Sequence, residues 1–234
     1  MDRRKFNALS SSMLAGLMLA AHGRANALSL ADLSNTDATK GLKTALEKGA
    51  ISAIGLLGAT DGFLGNDKVR IPLPHFLDEA AKLMRTFGQG GRIEELTTAM
   101  NRGAEAAVPM AKDLLVKAIQ TMSVQDAKGL LSGGETAITQ FFAQKTREPL
   151  AVKFQPVVTR ATAKVQLADK YNQVAGKALE LGLIQPQESN INQYVTGKAL
   201  DGLYFMIGEE EKNIRKNPVG YGSSILSKVF GASL

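Results

Sequence analysis

Beyond residue 34, apolar side chains recur at three- and four-residue steps, and no stretch alternates apolar with polar long enough to make a central strand. Residues spaced this way line one face of a helix, and helices of this kind bury that face only against other helices. The pattern therefore predicts an all-α, single-domain multi-helix bundle in which Pro and Gly interrupt several helices. With no Cys in the chain, packing must supply the stability that disulfides would otherwise add.

The expected helices can be placed from their punctuation. Ser34-Asn35-Thr36-Asp37 offers N-caps for a helix carrying Leu42, Leu46, Gly49, Ala53, Ile54 and Leu57. A Gly-rich loop follows from Gly58 to Asp67. Val69-Arg70-Ile71-Pro72-Leu73-Pro74 reads as a connector or short edge strand, because its prolines remove two donors. Phe76, Leu77, Ala80, Leu83, Met84 and Phe87 form an apolar stripe that ends at Gly88-Gln89-Gly90-Gly91. The next helix starts near Arg92, with Pro109 kinking or restarting it. Ser123-x-x-Asp126 and Ser132-x-x-Glu135 each read as a capping box. Pro149 and Pro156 are expected to break the chain before a long helix from Val157 to Leu181. Asn190 caps a last major helix that Asn217-Pro218 ends, and Ile225, Leu226, Val229 and Phe230 mark a short amphipathic turn.

The first 27 residues read as an address rather than as fold. Arg3-Arg4-Lys5 precede an apolar run from about Met13 to Ala21, and Ala25-Asn26-Ala27 offers a cleavage site after Ala27. The run falls short of the roughly 20 residues that cross a bilayer. Arg3-Arg4-Lys5-Phe6 resembles a twin-arginine export signal, with Asp2 and Asn7 as departures; an ordinary secretory signal is the alternative. The expected product is one all-α domain over residues 28–234, released into the periplasm without a transmembrane segment. Cleavage would remove Arg3, Arg4, Lys5, Arg24 and Asp2, lowering the net charge from +6 to +3. The remaining charges are interleaved, which argues against nucleic acid as a partner.

Several long stretches carry a likeness to known sequences. They are Val69 to Pro74, Met100-Asn101-Arg102-Gly103-Ala104-Glu105, Asp126-Ala127 with Gly134-Glu135-Thr136, Tyr194-Val195-Thr196, Leu200-Asp201-Gly202-Leu203-Tyr204, and Glu210 to Pro218. Through them the chain from Ala38 to Phe230 resembles a bacterial family catalogued as domain of unknown function 4197. The resemblance implies an exported, helical, single-domain protein of Gram-negative bacteria. It assigns no activity, so it transfers no catalytic residue.

Read by their chemistry, few constellations stand out. After cleavage His75 is the single histidine, placed in the first turn beyond Pro74, where partial exposure is the simple reading and a Ser-His-Asp relay the alternative. One His and no Cys leave no zinc site of the usual kind, and no cofactor is expected. Asp61, Asn66 and Asp67 are oxygen donors in a pliable loop and are the candidate ion or ligand site, although their spacing is not that of a twelve-residue calcium loop. Gly88 to Gly91 could cradle a phosphate with help from Arg92, or simply turn the chain between two helices. Arg102, Glu105, Asp201 and Glu210 are the candidate catalytic residues for a carboxylate- and Arg-dependent enzyme. If Asp201 is buried it needs a partner, Arg102 or Arg160. The preferred reading is non-catalytic binding of an envelope protein or an apolar small molecule, since Ala- and Gly-rich helices permit an internal cleft. A structural accessory role for the segment from Ile225 to Phe230 is the third reading.

Overall fold

The computed structural model describes residues 35–217, and among them helices and connecting turns occur without a strand. The order is α1 (Asn35–Gly58), a 3-10 turn (His75–Leu77), α2 (Asp78–Thr86), α3 (Gly90–Ala107), a 3-10 turn (Val108–Ala111), α4 (Lys112–Gln120), α5 (Val124–Ser132), α6 (Ala137–Thr162), α7 (Gln166–Glu180), a 3-10 turn (Pro186–Glu188) and α8 (Ile191–Lys216). The all-α bundle expected from the periodicity is what forms.

Helices α6 and α8 are its spine. Each has 26 residues, and they run antiparallel: Ile138 meets Glu211, Thr146 meets Tyr204, and Thr162 meets Asn192. The buried residues of α6 are Ile138, Phe142, Thr146, Leu150, Phe154, Val158 and Thr162, a strict four-residue repeat. Such a stripe drifts by about 40° at every step of a 3.6-residue helix. It therefore serves α3 as well as α8, with Gly103 receiving Val158 and Ala161 while Thr162 still meets Asn192. Helix α1 lies antiparallel to α8 on another side. Gly49 sits against Ile214 and Glu210, so a side chain there would meet Ile214 Cδ1 at 3.3 Å. One contiguous core joins these helices, with Leu57, Phe63, Leu96, Met100, Leu115, Phe142, Phe154 and Leu203 almost fully buried.

Four sequence expectations are corrected. Pro149 and Pro156 lie inside α6 without ending it. They are seven residues apart and both exposed, so they share the solvent face. Each lacks an N–H and leaves a carbonyl four residues back, at Lys145 and Val152, without its helical donor. Both of those residues are also exposed, so water can serve in place of the missing donors. The long helix expected from Val157 to Leu181 is divided instead at residues 163–165, where Val165 turns extended and enters the core. Ser132 caps nothing; it ends α5 and donates to the carbonyl of Lys128. The stripe on α2 is only partly core: Ala81 is buried, but Leu83 and Phe87 are 60% and 77% exposed, because α2 packs mainly against α3.

Other signals read correctly. Ser123 and Asp126 close the capping box of α5, each accepting from the other's backbone N–H. Asn190 caps α8 by accepting from Asn192 and Gln193. Ser34 and the segment from Ile225 to Phe230 lie outside the described residues, as does the signal.

Candidate functional site

On α3, Asn101 and Glu105 are four residues apart and so share a face. Asn101 is fully buried, its side-chain oxygen accepting from the N–H of Ile71 at 2.8 Å and its nitrogen donating to the carbonyls of Ile71 and Thr97. The amide thus pairs with Ile71 as a neighbouring strand would, which accounts for an extended segment that joins no sheet. One turn on, Glu105 accepts from the N–H groups of Phe63 and Leu64 with one oxygen, both at 3.1 Å. Its other oxygen takes the Arg102 guanidinium at 2.6 Å, and Arg102 reaches on to Asp61 at 2.7 Å. The hydrogen bonds to Glu105 and Asp61 hold the Arg102 pKa above its ordinary value. Asp61 is held at φ 64, a left-handed conformation that Asp tolerates better than most residues. Arg102 and Glu105 are therefore brought together, and they fasten the loop after α1 to α3.

Two of the three candidate ion ligands have partners within the protein. Asp61 is engaged by Arg102, and Asn66 accepts from the N–H of Lys68 in a local turn. Among the described residues no group of three or more His, Asp or Glu side chains could hold a metal. His75 is almost fully exposed, with Nδ1 3.0 Å from Asp78.

Glu210 and Glu211 serve the opposite end of the bundle. Ser52 on α1 donates to Glu210 at 3.2 Å. Glu211 is buried and accepts from the N–H groups of Ile138 and Thr139 and from the Thr139 hydroxyl. It caps α6 from 73 residues away, in place of the local box expected at Ser132. Arg215 pairs with Glu211 at 3.0 Å and donates to the carbonyls of Leu130 and Gly134, tying the end of α5 to the same point.

Asp201 alone of the four candidate catalytic residues faces a cleft. It is half-exposed, and its partner is Arg147 of α6 at 2.6 Å, not Arg102 or Arg160. The cleft has a volume of about 600 Å³ and is lined by Arg147, residues 185–188, and Gln193, Tyr194, Gly197, Lys198 and Asp201 of α8. A second hollow of about 310 Å³ shares Lys198 and Asp201 and is walled by residues 68–72, Gly202 and Phe205. Both walls are fastened. The Tyr171 hydroxyl donates to the carbonyl of Glu188, and Tyr194 donates to that of Pro72. Gly202 lets the Phe63 ring approach α8: a Cβ there would lie 2.6 Å from that ring. The cleft offers the Arg147–Asp201 ion pair, a second carboxylate at Glu188, a lysine and three glutamine amides. Its lining is equipped for ion pairing and hydrogen bonding. Gln185-Pro186 marks a turn in the sequence, but nothing local marks Arg147 or Lys198 as its neighbours, since Arg147 and Asp201 are 54 residues apart.

The chain can now be set beside known proteins. The model of the family described as protein of unknown function, DUF4197, matches residues 32–231. The chain belongs to that family. No curated protein and no solved structure matches it. Most stretches through which the family is recognised have a place in the geometry above: residues 69–74 and 100–105 form the α3 clamp, 200–204 line or support the cleft, and 210–217 contain the cap on α6. Among the described residues no helix is long and apolar enough to cross a membrane.

Burial raises the Tyr171 and Tyr194 phenols to about 12, with Glu188 adding to both. Each is more acidic in the unfolded chain, near 10, so its contribution to stability is complete below pH 10 and is lost as the pH rises toward 12. Thermal melts should therefore fall steeply between those two values, tracking the ultraviolet absorbance of tyrosinate. Tyr171→Phe, which cannot ionise, should flatten part of that fall; an unchanged slope would count against the burial of this phenol.

Proposed function

We propose that this protein is an exported, non-catalytic binding protein of the periplasm that holds its ligand or envelope partner in the cleft along α8. The supporting observation is where the open space lies. Where α1, α6 and α8 meet, between Leu46, Phe142 and Ile207, the gap is only about 10 Å³, too small for any ligand. The α8 cleft is sixty times that size and has fixed walls. An apolar molecule threaded through the bundle is thus less favoured than a polar ligand or a partner's side chains at the surface. The carboxylate and Arg enzyme has less support, because Arg102 with Glu105, Glu210 and Asp201 occupy three separate places.

Gly197→Leu tests this reading without unfolding the protein. A Cβ at Gly197 meets nothing within 4 Å, and leucine favours a helix more than glycine by about 0.5–1 kcal/mol. The variant should melt no lower than the parent while filling the cleft. Native mass spectrometry of protein recovered from the periplasmic fraction should show an added mass on the parent that Gly197→Leu lacks. Equal loading of both would remove the cleft from the proposal, and absence from that fraction would remove export. Export unchanged after Arg3→Lys and Arg4→Lys would assign the general secretory route.

A further inference from the structure

Helices α3 and α7 enclose a further concavity, apart from the α8 cleft and sharing no residue with it. It measures about 260 Å³ and is lined by Arg92, Glu95, Lys164, Gln166, Leu167 and Lys170. Arg92 stands in the first turn of α3, Lys164 in the link after α6, and Lys170 in the second turn of α7. Segments more than 70 residues apart in sequence thus bring three cations to one hollow.

Like Arg70, Arg160 and several other lysines, these cations form no ion pair among the described residues; what sets the three apart is that they share one hollow. Arg85, Arg102, Arg147, Arg215, Lys68, Lys82 and Lys212 each meet a carboxylate. Arg92, Lys164 and Lys170 form no such pair, either with Glu95 beside them or with a more distant acid. The hollow therefore carries an excess of two positive charges with no internal counter-charge in contact. Holding like charges together is unfavourable even where water screens them, and an anion seated between them would reverse the sign of that interaction.

We propose that this hollow binds a phosphate group that carries a neighbouring hydroxyl, as in a glycerol phosphate. Arg92 can meet two phosphate oxygens with its planar fork, while Lys164 and Lys170 act as compact charges on the remaining face. Glu95 repels a second anionic group and accepts a hydrogen bond from the adjacent hydroxyl. The glycine turn before Arg92 does not take part. Its N–H groups at Gly88 and Gln89 donate to the carbonyls of Arg85 and Met84, closing α2, with Gly88 at φ 75. Recognition rests on the three side chains, two of which lie far from that turn in sequence.

The same phosphate chemistry is found in a free ester and in a lipid headgroup, so the test has two arms. Calorimetry with glycerol 3-phosphate reads the soluble ester; co-sedimentation with phosphatidylcholine vesicles, with and without phosphatidylglycerol, reads the headgroup. Binding in the first arm assigns a free ligand, and binding confined to phosphatidylglycerol vesicles assigns a membrane surface. In either case Lys164→Gln combined with Lys170→Gln should weaken binding by about tenfold or more. Both lysines are exposed, so the double variant should melt as the parent does. Amide shifts confined to residues 90–95 and 164–170 would place the ligand. Failure of both probes to bind, or equal binding by parent and double variant, would overturn the proposal. Neither result bears on the α8 cleft, which Gly197→Leu tests separately.

Discussion

Replacing Glu211 by alanine should cost the protein about 3–5 kcal/mol of unfolding free energy, the range for breaking a buried pair by removing one partner. The Glu211 carboxylate is fully enclosed and has three donors on α6 besides Arg215. Its loss strands the N–H groups of Ile138 and Thr139 at the start of a 26-residue helix, and removes the carboxylate that Arg215 pairs with. Urea unfolding followed by circular dichroism would measure the change. Glu211→Gln keeps one acceptor oxygen and should cost less. Because Glu211 and Arg215 act as a unit, the double alanine variant should cost less than the sum of the two singles. A loss under 1 kcal/mol for Glu211→Ala would mean that the cap on α6 is not a stabilising contact.

The second large effect belongs to Asn101. Asn101→Leu has nearly the same volume but cannot hydrogen-bond, so it leaves the buried N–H and carbonyl of Ile71 unpaired. At about 1–3 kcal/mol for each unsatisfied group, the variant should lose about 2–6 kcal/mol. Asn101→Asp separates the two bonds to Ile71. It still accepts from the Ile71 N–H, but it sets a carboxylate against the carbonyls of Ile71 and Thr97, which the amide nitrogen now serves. It should therefore also destabilise, and recover somewhat as the pH is lowered and the carboxyl gains a proton to donate. Amide exchange would localise the damage, with protection at Ile71 falling before protection in α6 or α8. Uniform loss across the bundle would instead make Asn101 a packing residue.

Both cases turn on stretches that could be singled out in the sequence but not interpreted there. Arg102 and Glu105 stand three apart among the candidate catalytic residues, and the structure pairs them. Nothing local showed that Glu105 would bind the backbone of Phe63 and Leu64, 42 and 41 residues away. In the sequence Glu211 is one charged residue in the stretch from Glu210 to Pro218, with nothing local to set it apart. It is buried, because α8 runs antiparallel to α6 and carries that carboxylate to the free N–H groups of another helix. Ser132 satisfied the spacing of a capping box and was passed over, since a charged acceptor already held the position it would have served.

By itself, the sequence determined the helices, their apolar faces, the caps at Ser123 and Asn190, and the absence of thiol chemistry. All of these depend on residues within a few positions of one another, where spacing along the chain is spacing in space. Only the tertiary structure decided that Pro149 and Pro156 would ride inside α6, that Asp201 would pair with Arg147, and that Arg92, Lys164 and Lys170 would share a hollow. Each of those depends on which helix faces which, and on where water can reach a broken hydrogen bond. Helical periodicity specifies a buried face without naming the surface that will cover it.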